Sequence, residues 1–271
     1  MTLATQQELA TDRDVAIRVD RVEQEFTDRA GKVVRALDEV SFSVPRGQFL
    51  AVIGPSGCGK TTVLNMLAGL LLPTAGSVRI HGETVVKPRP HVGYMSARDG
   101  LLPWRTTRRN VALGLEIRGV PREERLRRAD ELLSVVGLAG FATAFRSQLS
   151  QGMRQRAAIA RTLAIDPQVL LMDEPFAALD AQTKIILQQQ FSKIWENDRK
   201  TVMLVTHDLE EAVALADRVI VFSARPGRIV VDRTVDLPRP RDIEAVRFEP
   251  RFRELTQELW NSLRVSIARL S

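Results

Sequence analysis

Residues 49–61, Phe-Leu-Ala-Val-Ile-Gly-Pro-Ser-Gly-Cys-Gly-Lys-Thr, decide the fold. The run from Phe49 to Ile53 has the apolar, β-branched character of a buried strand and stops at Gly54. Residues 60–69 then show helical spacing through Val63, Leu64, Leu67 and Ala68. Between strand and helix, Gly54, Pro55, Ser56, Gly57, Cys58, Gly59, Lys60 and Thr61 fit G-x-x-x-x-G-K-[ST], which has meaning only in that setting. Glycines let successive N–H groups turn inward on phosphate oxygens without side-chain clash. Lys60 supplies a mobile cation for terminal phosphates, the Thr61 hydroxyl can ligate Mg²⁺, and the helix adds the positive end of its dipole. Thr62 completes the expected nucleotide contacts, and Cys58 reads as a small loop residue, not a nucleophile.

A second acidic element supports this reading. Val169-Leu-Leu-Met-Asp173-Glu174 is a buried-strand pattern whose C-terminal end delivers two carboxylates, where α/β sheets place ligands. Asp173 can hold Mg²⁺ through water, and Glu174 can polarise an attacking water. Alone, a strand ending in Asp-Glu is usually a strand meeting its turn. Beside the Lys60 loop it points to phosphate hydrolysis.

Outward from these segments, short β patterns run through 17–19, 36–42, 77–80 and 91–95, with turns expected at 28–31 and 45–47. Residues 108–117, 122–136 and 151–165 read as helices; Pro121 suits a first turn and Gly137 a C-terminal stop. Beyond them a strand at 169–172, a helix at 182–197, a strand at 201–205 and a short helix at 209–216 alternate, and 219–222 with 229–231 forms a hairpin about Pro226 and Gly227. Leu255, Leu259, Leu263 and Ile267 stripe a final helix over 251–270. The fold class is α/β: a mainly parallel sheet, an N-terminal antiparallel β part and an inserted helical subdomain. The division expected is a flexible lead at 1–14, a main domain at 15–235 with its helical subdomain at about 105–165, and a C-terminal helical tail at 236–271.

Composition narrows the partners. The chain has 271 residues, 44% hydrophobic and 27% charged, with a net charge of +6. No run approaches the roughly 20 apolar residues that span a bilayer. Residues 1–13 lack the basic start and apolar run of a secretory signal. The single cysteine forbids an internal disulfide and fits a reducing compartment. Scattered arginines and 5% aromatics give no stacking platform, so nucleic acid is not an expected partner.

Up to this point the residues define a P-loop nucleotide hydrolase. Leu149-Ser-Gln-Gly-Met-Arg-Gln-Arg156, followed by Asp173-Glu-Pro-Phe-Ala-Ala-Leu-Asp180 and Val205-Thr-His207-Asp, resembles the signature, acidic strand, D-loop and switch segments of ABC ATPases, in order, over about residues 15–235. The resemblance implies a head-to-tail homodimer with two ATP molecules between subunits. The Lys60 loop of one copy would meet Ser150, Gln151 and Gly152 of the other. It makes His207 the γ-phosphate switch, Asp180 an interface residue and Phe26 the aromatic against adenine; Phe26 as a buried strand residue stays open. Ser150 also suits a helix N-cap, and the two roles are compatible. His81 and His91 read as surface or strand residues.

Leu101-Leu-Pro-Trp-Arg-Thr106 resembles the segment found in importers of the nitrate, sulfonate, taurine and bicarbonate class. That likeness implies a peripheral subunit on the cytoplasmic face, bound to a membrane permease near Leu101, Leu102, Trp104 and Arg105, with a periplasmic or extracellular substrate-binding protein completing the complex. The alternative for Trp104 is inward packing. Two positions depart from the family pattern: Ala97 stands where a metal- and water-contacting glutamine is usual, and Gln151 where the signature has its first glycine. Rival readings are a non-transport ABC ATPase working on nucleic acid or ribosomes, and a slow ATP-binding regulatory cassette.

Overall fold

The computed structural model describes residues 14–27 and 31–268, with side chains described to residue 264. All but the last residue of the expected lead at 1–14, most of the turn at 28–31 and the Ile267 side chain lie outside the described residues.

In chain order the strands are β1 (Val15–Thr27), β2 (Val33–Pro45), β3 (Phe49–Ile53), β4 (Ala75–Ile80), β5 (Glu83–Thr84), β6 (Val92–Met95), β7 (Val169–Asp173), β8 (Thr201–Val205), β9 (Arg218–Phe222) and β10 (Ile229–Thr234). The helices are α1 (Lys60–Leu67), α2 (Thr107–Val111), α3 (Leu113–Ile117), α4 (Arg122–Val135), α5 (Gln151–Ala164), α6 (Ala181–Asp198), α7 (Leu209–Leu215) and α8 (Pro250–Ala268). The expected single helix over 108–117 is two short ones, α2 and α3, divided at Ala112, although the Ala112 N–H still donates to Arg108 O at 2.9 Å.

One sheet has the order β2-β1-β4-β5 and is antiparallel throughout; the other has the order β10-β9-β3-β8-β7-β6. In the second, β9, β3, β8, β7 and β6 run parallel and only β10 pairs antiparallel, at the edge. Its central strands read as unbroken apolar runs because both faces are covered: every residue of β3, β7 and β8 is buried. Alternation then sorts them between two cores. Phe49, Ala51, Ile53, Leu170, Met172, Val202 and Leu204 join the core that takes in α4 to α8. Leu50, Val52, Leu171, Met203 and Val205 join the core shared with α1 and the antiparallel sheet. Phe49 meets Trp195 edge-on with ring centroids 5.5 Å apart, and Leu255, Leu259 and Leu263 of α8 are buried in that same core.

Register fixes the site. Val52 of β3 and Asp173 of β7 both pair with Val205 of the intervening β8. The phosphate loop, the Asp173–Glu174 pair and the His207 turn therefore leave the C-terminal ends of adjacent parallel strands, side by side.

Candidate nucleotide site

The loop from Gly54 to Gly59 hands over to α1 at Gly59, which has a left-handed φ of 99°. A Cβ there would sit 2.4 Å from Leu37 Cδ2, so only glycine lets β2 close over the loop. Lys60 is 7% exposed, and its Nζ donates to the carbonyls of Gly54 at 2.7 Å and Pro55 at 2.9 Å. The ammonium is thus held inside the loop that its own backbone forms. Cys58 is buried with Sγ 3.7 Å from Lys60 Nζ; burial pushes its thiol up despite the cation, the opposite of an activated nucleophile.

Thr61 and Asp173, remote in sequence, meet here: the Thr61 hydroxyl donates to Asp173 Oδ2 at 2.9 Å. Burial raises the Asp173 carboxyl above its usual range, opposed by the Thr61 hydrogen bond and Lys60 and reinforced by Glu174. Two hard oxygen donors side by side suit Mg²⁺, and no cluster of three or more His, Cys, Asp or Glu forms a metal cage among the described residues. A cation that keeps water and phosphate oxygens in its shell matches this sparse donor set.

Glu174 takes a left-handed φ of 48°, uncommon for a residue with a side chain. Its N–H donates to Val205 O at 2.8 Å, and Gln155 Nε2 donates to its carbonyl at 3.2 Å, so both neighbours hold the strained residue in place. His207 Nδ1 lies 3.2 Å from Glu174 Oε1, with the histidine side chain 62% exposed. The flanking turn is fixed from below. The Asp208 side chain caps α7 by accepting from Glu211 N at 3.1 Å, while Lys184 donates to Asp208 at 2.8 Å.

Phe26, at the end of β1, is 43% exposed, so the buried-strand alternative falls. It lines a cavity of 370 Å³ together with Gly57, Gly59, Lys60 and Thr62. Ser150 caps α5 by accepting from Met153 N at 3.2 Å, and Asp180 caps α6 by accepting from Thr183 N at 3.0 Å; both are exposed. The hydrogen bonds to Thr183 hold the Asp180 carboxyl below its usual range. Gly152 lies against Ala178 O, and Gln151 is exposed.

Trp104 is 71% exposed, which excludes inward packing. Leu101, by contrast, is 4% exposed; its side chain belongs to the core and is removed from the expected partner contacts. Arg105 is tied to Glu116 at 2.8 Å. Ala97 and Gln151, the two departures from the family pattern, line one cavity of 450 Å³ between the 97–103 loop and α5. Of the residues near Ala97, Asp99 is engaged by Arg146 at 2.9 Å and Ser96 by the Arg98 carbonyl at 2.8 Å.

Sequence reasoning missed Tyr94 and Asn65. The Tyr94 hydroxyl donates to Asn65 Oδ1 at 2.8 Å, and burial, with Asp173 nearby, pushes its pKa up to about 12. Only the adjacency of β6, β7 and α1 makes this buttress behind Asp173, and no local pattern signals it.

A phosphate loop opening a helix beside a carboxylate-bearing strand end defines a P-loop nucleoside triphosphatase. Residues 37–177 match the family described as ABC transporter, more than half of the chain. An uncharacterized ABC transporter ATP-binding protein of Methanocaldococcus jannaschii is 50% identical over 86% of this chain and 87% of its own length. The taurine import ATP-binding protein TauB of Rhizobium johnstonii is 44% identical over 90% and 94%, and the nitrate import ATP-binding protein NrtD of Synechocystis sp. 41% over 88% and 91%. Among solved structures, a dimeric post-hydrolysis state of an ATP-binding cassette bound to ADP and phosphate aligns with a TM-score of 0.74 at 32% identity, covering 82% of this chain and all of the other. The chain belongs to the ABC transporter ATP-binding family: it binds ATP and is an ATPase.

Proposed function

We propose that this chain is the ATPase subunit of an importer for a small anion of the taurine, sulfonate or nitrate kind. Two copies work beneath a separate membrane permease on its cytoplasmic face, with an external substrate-binding protein delivering the cargo. The relatives named for taurine and nitrate import support the transport class. The dimeric cassette structure supports a pair of subunits. No described helix is long and apolar enough to cross a membrane.

The observation that carries the reading is the meeting, at the C-terminal ends of β3, β7 and β8, of the Lys60 loop, the Thr61–Asp173 pair and the Glu174–His207 pair. Lys60 and the loop N–H groups hold the β and γ phosphates, and Phe26 covers the adenine. Thr61 and, through water, Asp173 would hold Mg²⁺, which would supply positive charge to neutralise the phosphate oxygens. Glu174 accepts a proton from water as the water oxygen attacks the γ-phosphorus. The bond from that phosphorus to the ADP oxygen breaks, and His207 steadies the γ-phosphate oxygens. Ser150 and Gly152 at the start of α5 of the second copy close the other side of the phosphate. Trp104, Leu102 and Arg105 face the permease.

Glu174→Gln tests the chemistry: turnover should fall at least about 100-fold, the scale of a lost general base. ATP should still bind, and an ATP-dependent dimer should accumulate on size exclusion. Turnover near that of the parent chain would remove Glu174 from the mechanism. Trp104→Ala tests the coupling. It should leave the isolated ATPase and its melting temperature unchanged while abolishing co-purification with the permease; undiminished co-purification would place the contact elsewhere.

A further inference from the structure

The hairpin joining β9 to β10 lies on the phosphate loop. Gly227 N donates to Ala36 O at 2.9 Å, and a Cβ on Gly227 would sit 2.0 Å from Cys58 O, so the hairpin approaches the loop as closely as glycine allows. Arginines are frequent on this hairpin, and most are neutralised. Arg218 pairs with Asp232, Arg228 with Asp38 and Arg233 with Glu258.

Arg225 differs. Its Nε and Nη2 donate to the Gly57 carbonyl at 3.3 and 3.2 Å, and among the described residues it has no carboxylate partner. A guanidinium has five N–H donors, so one shared carbonyl leaves most of them unused. Arg225 also lines the 370 Å³ cavity that holds Phe26, Gly57, Lys60 and Thr62. Among the described residues the hairpin thus keeps one arginine without a carboxylate, held by a loop carbonyl where it lines the cavity.

We infer that Arg225 is a nucleotide-binding residue whose guanidinium contacts the phosphate chain at its nucleoside end, at the α-phosphate. The assignment rests on the reading of the Lys60 loop as the ATP site. Within that site Lys60 and Thr61 serve the terminal phosphates and Phe26 the base, which leaves the α-phosphate without a cation of its own. Arginine suits the task, because its planar fork can keep one edge on the Gly57 carbonyl while another N–H meets a phosphate oxygen. Arg225 stands outside the reacting bonds, so it acts on affinity for every adenine nucleotide and leaves the chemical step alone.

The test measures ADP and AMP dissociation constants and steady-state ATPase on the full chain for Arg225→Ala, Arg225→Gln and Arg225→Lys, with Lys60→Ala alongside. Glutamine keeps a donor for the Gly57 carbonyl and removes the charge, which separates nucleotide contact from support of the loop. Arg225→Ala and Arg225→Gln should each weaken ADP and AMP about tenfold, raise KM for ATP by a similar factor, leave kcat within about twofold and flatten the salt dependence of ADP binding. Arg225→Lys should restore part of the loss. Wild-type affinity in Arg225→Gln overturns the inference, whether or not Arg225→Ala is weakened. An equal loss in Arg225→Lys and Arg225→Gln overturns the role of charge. If Lys60→Ala also binds ADP normally, the failure belongs to the site reading; if Lys60→Ala abolishes binding and Arg225→Gln does not weaken it, only the Arg225 contact fails.

Discussion

The Lys60 loop and the Ser150 end of α5 both present N–H groups opening a helix, yet they are built in opposite ways. At the loop, Lys60 and Cys58 are buried, β2 closes over Gly59, and the β9–β10 hairpin presses on the Cys58 carbonyl. At the start of α5, Ser150 and Gln151 are exposed, and the Ser150 hydroxyl bonds only within its own turn. Under the proposed function, one anion site is finished by its own chain, and the other is shaped by its own chain and left open on one side for a second copy to complete.

The largest effect expected tests the finished site. Lys60→Ala removes the buried ammonium and should lower ATP affinity and turnover at least about 100-fold, read by nucleotide titration and phosphate release. Binding within threefold of the parent would mean that the loop does not hold phosphate. The open site should respond differently. Ser150→Ala should cost about 1 kcal/mol of folding stability from the lost cap. In a Glu174→Gln background it should also weaken ATP-driven dimerisation about tenfold while leaving ATP affinity of the monomer unchanged. A stability loss with an intact dimer would reduce Ser150 to a helix cap and erase the contrast.

A smaller effect is expected between the two sites, in the cavity shared by Ala97 and Gln151. A methyl group can neither ligate Mg²⁺ nor orient water, so Ala97→Gln should raise turnover about two- to fivefold and lower the Mg²⁺ concentration needed for half-maximal rate. No change in either quantity would end that idea.

The smallest effect concerns the ion pair that holds the 97–103 loop. Burial pushes the Asp99 carboxyl up, but the hydrogen bonds from Arg146 and Leu101 N outweigh it and hold Asp99 below its usual range. With the folded value depressed, its stabilisation is present above the ordinary carboxylate pKa of about 4 and fades as pH falls through the folded value. Arg146 is 38% exposed, so solvent screening keeps the contribution small. Denaturant melts of Asp99→Asn should trail the parent slightly at pH 7, with the gap closing as pH falls through the folded value; a constant gap would deny the ion pair its role.

The same contrast separates what was legible in the sequence from what was not. Local chemistry wrote the Lys60 loop, because a strand, a glycine turn and a helix N-terminus are consecutive in the chain. It also wrote the buried strands β3, β7 and β8, whose unbroken apolar runs follow from cover on both faces. Exposure was not legible. Leu101 and Trp104 stand three residues apart in one motif, yet one enters the core and the other faces solvent, because cover depends on which helices pack over the loop. The break at Ala112 was equally hidden, since Gly114, the one glycine in residues 108–117, lies beyond it inside α3.

By itself the sequence determined the α/β class, the phosphate loop and the family, since each depends on residues adjacent in the chain or repeated at a fixed period. Tertiary structure alone decided that Asp173 meets Thr61, that Tyr94 and Asn65 stand behind them, and that Arg225 faces the cavity while its neighbouring arginines are neutralised. Those contacts join segments far apart in the chain. Only the order and register of β9, β3, β8, β7 and β6, set by burial on both faces of the central strands, bring them together.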